Sequence, residues 1–273
     1  MIRLPSSILR LAPSAAAAAM ILFGASGALA EVQIQIQDRD VSRVISISGS
    51  CGRCELSGRR LTGANFVGAN FTQAMLVGSD LRGATIVGSN FSESDLSRAD
   101  LRGAELVGSL FTRAILARAR MDGVEAHGAS FALADLSHAN LSGAELTSAR
   151  LSQVRASQAN FNGAELIAAD LSGGDFSGAS FEDADLTGAR LSGGRFSRAD
   201  FSDADFSHAN LRGADLSRAR GLTQSQINDA CSDSSTRLPD GLTARSCGGG
   251  RGGAPRPVAP PRPYLSIVLA DLD

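Results

Sequence analysis

The chain has 273 residues, with 26 basic residues that are all arginine, 28 acidic residues and a formal net charge of −2. Because lysine is absent, the phosphate-binding lysine of a P-loop and any Schiff-base lysine are excluded. The slightly acidic balance also argues against a general nucleic-acid binder, which would carry a basic stripe, so we expect no direct nucleic-acid binding.

Residues 1–30 have the composition of a signal peptide. Arg3 and Arg10 form a basic start, an apolar stretch follows, and Ala28-Leu29-Ala30 is typical of a signal-peptidase site. An uncleaved membrane anchor is the competing interpretation, but the most apolar part, residues 15–23, is too short to span about 30 Å of hydrocarbon. We therefore predict export to the periplasm or the exterior, cleavage before Glu31, and no stable membrane span after cleavage.

Residues 31–50 are predicted to form an N-terminal β cap. Residues 32–37 alternate strictly between apolar and polar side chains, and residues 44–48 give a second short β segment. Since an open solenoid end exposes apolar side chains and unpaired strand edges, we expect these two segments to cover the first coil.

A five-residue repeat occupies residues 51–220. Every fifth position from Leu56 to Leu216 carries a central, mostly large apolar residue, giving 33 positions of which 18 are Leu and 11 are Phe. A small residue stands two places before almost every one, so on a short extended segment both side chains point inward. Where Ala126 and Ala156 replace the large residue, the small one has grown to Val124 and Val154. Such volume exchange is expected in a close-packed interior.

A slower period of 20 residues indicates how many sides each coil has. Acidic residues recur at this spacing from Glu105 to Asp205, and glycines recur from Gly63 to Gly163. Twenty residues divided into units of five predict four sides, about eight coils, and a rod roughly 40 Å long at sheet spacing.

The repeat unit, typified by Ala99-Asp100-Leu101, resembles the pentapeptide-repeat family over about 165 of the 273 residues. The resemblance implies a right-handed winding. The predicted fold is therefore all-β, a right-handed quadrilateral β-helix of about eight coils with a short C-terminal capping helix.

Cys51 and Cys54 open the rod, both at inward positions of the repeat. A single CxxC is weak evidence for zinc, which needs four ligands, and the pair does not begin a helix as redox motifs do. A structural capping role is the favoured interpretation, and the sequence leaves open whether Cys51 and Cys54 form a disulfide.

Residues 221–247 are predicted to form a C-terminal helix and a cysteine-bounded cap. Thr223 and Gln226 form a capping box, which predicts a helix from Gln224 to Cys231. Cys231 and Cys247 bracket the loop that follows, and an even number of cysteines in an exported chain favours a disulfide between them.

The remaining residues divide into a Gly/Pro-rich stretch, 248–263, with the composition of an extended, mobile linker, and an apolar tail, 264–273. The linker composition is equally typical of plain disorder. The β-prone start of the tail could add to a sheet edge on this or another molecule.

No catalytic template fits the sequence. His127, His138 and His208 stand at outward positions without neighbouring ligands, and the many serines follow the repeat. We therefore predict no enzyme activity, no metal and no cofactor.

Two surfaces stand out instead. The first combines an acidic column with a neighbouring β-branched column, and we name it the acidic face: Glu105, Glu125, Glu145, Glu165, Asp185 and Asp205, beside Val67, Val87, Val107 and Ile167. A role in solubility and a role in partner binding both fit this face. The second is an apolar patch of Leu110, Ile115 and Leu133, expected in adjacent coils near one edge.

Three functions compete. The leading hypothesis is an exported, non-enzymatic scaffold whose outer faces bind a protein or envelope component. The family resemblance offers an alternative, a DNA-mimic protein that engages a topoisomerase, although such targets are cytoplasmic. Redox or metal chemistry at Cys51 and Cys54 is the third hypothesis, and the oligomeric state, including a homodimer, stays open.

Overall fold

The computed structural model describes residues 49–246. Each five-residue unit consists of one bridge residue, one buried central residue, a two-residue turn and one buried small residue, as in Glu105-Leu106-Val107-Gly108-Ser109. The turn closes when the Ser109 N–H donates to the Leu106 carbonyl at 3.0 Å. Its second residue adopts a left-handed backbone, with φ of 63° at Gly108, which glycine tolerates without strain.

The coils stack in parallel through residues that are 20 positions apart. Glu105 pairs with Glu125 and Glu125 with Glu145, and every bridge position from Ser50 to Arg220 takes part in such a pair. The four sides predicted from the sequence are thus confirmed. The predicted extended segments are shorter than expected, because each side contributes a single bridge residue and no longer strand forms within residues 49–246.

The core is a continuous column of inward side chains. Leu101, Phe131 and Leu171 are fully buried, as are nearly all the central and small residues of the repeat. Phenylalanines on one side stack coil upon coil, with ring centroids of Phe71 and Phe91 4.5 Å apart. The parallel stack continues through Phe111 and Phe131 at 5.2 and 5.1 Å.

The two inward residues of a unit compensate for each other in volume, as predicted. The same compensation occurs in units other than the two that contain valine. Val154 and Ala156 are both buried. In the next two coils the small residue shrinks to glycine beside a phenylalanine, in Gly174 with Phe176 and Gly194 with Phe196. A Cβ on Gly174 would stand 2.5 Å from Phe176 Cε2, and one on Gly194 would stand 2.7 Å from Phe196 Cε2.

Within the described residues, a helix, α1 (Gln224–Asp229), follows the repeat, and its N-terminal capping box of Thr223 and Gln226 is present. It ends two residues earlier than the sequence predicts because Ala230 is extended and Cys231 returns to the coil, pairing with Asn210. Arg237 pairs in turn with Asp215. The four-sided stacking therefore resumes after the helix, although the five-residue pattern has stopped.

Helix α1 and the loop after it lie against the last coil. Ile227 is fully buried, and Leu222, Leu238 and Leu242 pack on the core. The Gln226 side-chain amide donates to the carbonyls of Phe201 and Ala204 at 3.0 and 2.9 Å. The Ala204 carbonyl belongs to the set that the next coil satisfies elsewhere in the rod, whereas the Phe201 carbonyl also accepts from the Ala204 N–H at 3.2 Å within its own turn.

Several predictions concern residues outside the described range. These are the signal peptide, the two β segments of the N-terminal cap, Cys247, the linker and the apolar tail. Between residues 49 and 246, no helix has the length and apolar character needed to cross a membrane.

Candidate partner-binding face

The acidic face is built by one ladder of bridges. Consecutive members of the column from Glu105 to Asp205 are bridge partners, so their side chains leave the rod at sheet spacing, about 4.8 Å. Glu105, Glu125 and Glu165 are exposed. The ladder therefore presents a straight row of carboxylates along the rod.

The backbone beneath this row is fully used by the neighbouring coils. The Glu125 N–H donates to the Ala104 carbonyl at 3.1 Å, and the Glu125 carbonyl accepts from the Leu106 N–H at 2.6 Å. The same pattern repeats at the next coil, where Ala126 donates to Glu145 at 2.8 Å. Because the N–H and the C=O of the ladder residues are both paired, a partner cannot add a strand along the ladder.

The β-branched column runs beside the carboxylates and is half-buried at Val67, Val87, Val107 and Ile167. Glycines form most of the corners on both edges of the face, from Gly63 to Gly163 on one edge and from Gly68 to Gly128 on the other. Most of these glycines have no atom near the position that a Cβ would occupy. The acidic face is therefore flat and unobstructed at its edges over the first half of the rod.

Carboxylates on two other sides of the rod are paired with arginine. Asp100 contacts Arg102 at 2.8 Å, and Asp135 contacts Arg155 at 2.7 Å in the next coil. Hydrogen bonding from Arg102 lowers the pKa of Asp100. Burial alone would raise the pKa of Asp135, but hydrogen bonds from Ser137 and the charge of Arg155 outweigh it and lower the pKa.

The acidic face has no such compensation. Within residues 49–246, no arginine pairs with any member of the acidic ladder. Asp185 and Asp205 accept the N–H groups of Thr187 and Ser207 at 2.9 and 2.8 Å, and the Ser207 bonds lower the pKa of Asp205. Longer glutamate side chains at the other four positions make no such turn bond in this range.

One histidine contacts the ladder. His127 Nε2 lies 2.8 Å from Glu145 Oε2, and 37% of the His127 side chain is exposed. The sequence placed His127 correctly at an outward position but missed the contact. The signal that could have found it is the offset of 18 residues, which places one side chain diagonally across from the other on neighbouring coils.

The remaining predicted site residues are placed as follows. Cys51 and Cys54 are joined by a disulfide, with 5.2 Å between their Cα atoms, and both are buried at the start of the rod. Cys231 is also disulfide-bonded, and its predicted partner Cys247 lies outside the described residues. In the described part of the chain, no three potential ligands among His, Cys, Asp and Glu come together in a way that could hold a metal.

The apolar patch lies on a different corner of the rod. Leu110, Ile115 and Leu133 are 45%, 41% and 42% exposed. Leu110 and Ile115 belong to adjacent sides of one coil, and Leu133 stands at the corner between those sides one coil later. Sequence reasoning missed a fourth exposed residue, Met75, which is in the same column as Ile115 and 40% exposed.

The comparison with protein families agrees with the repeat geometry. A family model described as pentapeptide repeats matches in eight copies, within residues 50–88, 89–125, 114–153, 144–183 and 179–218. A search of curated proteins finds no match.

Three solved structures are similar to the chain. HetL, a pentapeptide repeat protein involved in heterocyst differentiation regulation from the cyanobacterium Nostoc, is 30% identical and aligns over 70% of this chain and 86% of its own, with a TM-score of 0.38. QnrB1, a plasmid-mediated fluoroquinolone resistance protein, is 22% identical over 70% of this chain and 91% of its own, with a TM-score of 0.47. A pentapeptide repeat protein of the Arabidopsis thaliana thylakoid lumen is 29% identical over 46% of this chain and 64% of its own, with a TM-score of 0.16. The repeat, its four-sided stacking and the extent of the family match together show that the chain belongs to the pentapeptide repeat family.

Proposed function

We propose that the protein is an exported, non-enzymatic rod that binds a basic protein or envelope component through its acidic face. The observation that carries the proposal is the row of carboxylates, none of which pairs with an arginine within residues 49–246, set between corners that bear mostly glycine. Pentapeptide repeat proteins fold as right-handed β-helices. We infer the same hand here, with about eight coils and helix α1 as the cap of the last coil.

The charge arrangement supports a binding role over a purely structural one. Two like charges 4.8 Å apart repel by about 0.9 kcal/mol even at the dielectric constant of water, before salt screening. Elsewhere the same rod alternates aspartate with arginine in one column, as in Asp175 with Arg195 at 2.8 Å. The acidic ladder lacks this alternation, and a basic partner would supply the missing positive charges.

The geometry also restricts how the partner is recognised. The ladder backbone is paired on both sides, as at Glu125, so the partner does not add a strand to this face. Arginine or lysine side chains would meet the carboxylates, while the β-branched column offers apolar contact beside them. Binding of this kind is specific in charge and register, and it weakens as ionic strength rises.

A capture experiment with matched charge changes tests the proposal. One variant changes Glu125, Glu145 and Glu165 to glutamine. A control variant changes Glu55, Glu93 and Glu182, which lie on other columns, to glutamine as well. Both variants lose three negative charges. Each protein is crosslinked in its native compartment, and the captured proteins are quantified by mass spectrometry at low and high salt.

We expect the acidic-face variant to lose about ten-fold in capture of a basic partner, since each exposed charge contributes roughly 0.5 kcal/mol. The control variant should retain it. Equal loss in both variants would show that net charge alone matters and that the face serves solubility. Turnover of a substrate by the purified protein, abolished by a single substitution, would refute the non-enzymatic assignment.

A further inference from the structure

The apolar patch concentrates an unusual amount of exposed hydrophobic surface at one corner of the rod. Its members, Leu110, Ile115 and Leu133, are among only four large apolar side chains that are strongly exposed in the described part of the chain. Adjoining positions in the same columns are polar, with Ser130 after Leu110 and Asp135 after Ile115. Solvent-facing leucine and isoleucine are therefore not a requirement of the fold at these positions.

Leu133 is the most unexpected of the three. Its backbone is left-handed, with φ of 63°, a region that disfavours bulky L-residues. The other residues with positive φ between 49 and 246 are glycine, alanine or polar side chains. The residues that occupy the corner equivalent to Leu133 in three of the later coils are Gly173, Gly193 and Gly213. A leucine here is strained and exposed at once, so an interaction that covers it would compensate for both effects.

A cation lies in the middle of the patch. Arg113 occupies the corner between Leu110 and Ile115, one coil before Leu133, and it is exposed. Its backbone N–H donates to Ala132 at 3.0 Å, but its guanidinium forms no ion pair with any residue from 49 to 246. A complementary ligand would therefore combine apolar side chains with a carboxylate.

The described chain ends on the side of the rod that carries Leu110. Six successive bridges connect Leu110 to Cys231, and the next residue, Ser232, pairs with Ser246. Seven steps of about 4.8 Å place Ser246 roughly 34 Å along the axis from the patch. The 17 residues from 247 to 263 reach about 53 Å at 3.1 Å per residue, which is enough to bring residue 264 back to the patch.

We propose that the tail, residues 264–273, docks on the apolar patch of its own chain. Leu265, Ile267 and Leu269 supply the apolar side chains, and Asp271 follows as the carboxylate for Arg113. The tail thus has the composition that the patch requires, within reach and from the same side of the rod. A tethered segment also binds at a high effective concentration, which compensates for a small contact area.

A site-specific photo-crosslink tests the docking in the full-length purified protein. A benzophenone amino acid replaces Leu133, which keeps the position large and apolar. The control places the same probe at Asp183, which is also exposed, also has positive φ, at 57°, and lies at the diagonally opposite corner nearer the C-terminal end. Unlabelled and ¹⁵N-labelled proteins are mixed before irradiation, and crosslinked peptides are identified by mass spectrometry.

We expect the probe at position 133 to label residues 264–273 of the same isotopic copy, at a yield at least several-fold above that of the probe at position 183. Arg113→Glu should lower the yield roughly two- to five-fold without shifting the unfolding midpoint, as an exposed charge contact predicts. Crosslinks between light and heavy copies would show that a second molecule covers the patch and would overturn the proposal. Equal yields from the two probes would also overturn it.

Discussion

Gly174→Ala should destabilise the protein although it adds only one methyl group. The new Cβ would lie 2.5 Å from Phe176 Cε2, which is much shorter than the ordinary contact distance of 3.4–4 Å. The ring cannot move away freely, because it stacks on Phe196 at 5.1 Å and packs against Phe161 and Phe181 at 6.0 and 5.8 Å. Overpacking of this kind costs about 1–3 kcal/mol. Restricting the unfolded chain returns about 0.4–1 kcal/mol, so a net loss of about 1–2 kcal/mol is expected.

A second substitution separates packing from other causes. Phe176→Leu alone removes the ring contacts and should also destabilise, by about 1–2 kcal/mol. The double variant restores the Ala–Leu combination that Ala134 and Leu136 form two coils earlier. It should therefore be more stable than the sum of the single changes predicts, by about 1–2 kcal/mol. Urea denaturation followed by circular dichroism gives the free energy of unfolding of all four proteins.

Additive effects would refute the volume-exchange argument, since independent sites show no such coupling. The parallel pair Gly194 and Phe196 provides a repeat of the cycle, because its Cβ distance is 2.7 Å. A stabilising Gly174→Ala variant would also refute the volume-exchange argument, because it would mean that the core can accommodate the additional methyl group without overpacking.

Three further predictions follow from the surface and the cap. Glu165→Gln removes repulsion from Glu145 and Asp185 and should raise the free energy of unfolding by up to about 1 kcal/mol in 10 mM salt, with the gain vanishing in 1 M salt; a gain that is independent of salt would contradict the ladder argument. Stability should fall with acid: the folded-state pKa of Asp100 and Asp135 is lowered, and hydrogen bonds from Ser235 lower that of Asp233 to about 2. The contribution of these three carboxylates to the free energy of unfolding is therefore present above the unfolded pKa near 4 and is lost as pH falls through the folded pKa values. A thermal midpoint that stays constant from pH 5 to pH 2 would contradict this prediction. Gln226→Ala removes the capping box and the bonds to Phe201 and Ala204 and should cost about 1–3 kcal/mol, whereas Ser225→Ala, at an exposed helix position, should cost under about 0.5 kcal/mol in the same denaturation assay.

The repeat made the interior predictable, because strict periods of five and twenty residues leave one arrangement that buries the apolar side chains. The start of helix α1 was also predictable, since Thr223 and Gln226 cap it through local bonds. Its end was not. Cys231 leaves the helix to pair with Asn210, a contact set by the previous coil and not by the residues around it.

Side-chain pairing was the other part that the sequence did not reveal. The contacts of Arg155 with Asp135 and of His127 with Glu145 depend on which rotamers these side chains adopt on neighbouring coils. Periodicity places such residues in columns but does not say which of them touch. The packing role of Gly174 was missed for a related reason. In a chain with many turn glycines, the sequence does not indicate that this glycine makes room for the ring of Phe176.

The spacing of 20 residues between bridge partners limits how this molecule can change in length. Inserting or deleting one full circuit would lengthen or shorten the rod by about 4.8 Å and leave each column on its own side. A change of five residues would instead rotate everything beyond it by a quarter turn, and the carboxylate row would jump to the adjacent side. Growth by duplication of whole circuits is therefore the route that keeps a binding surface continuous.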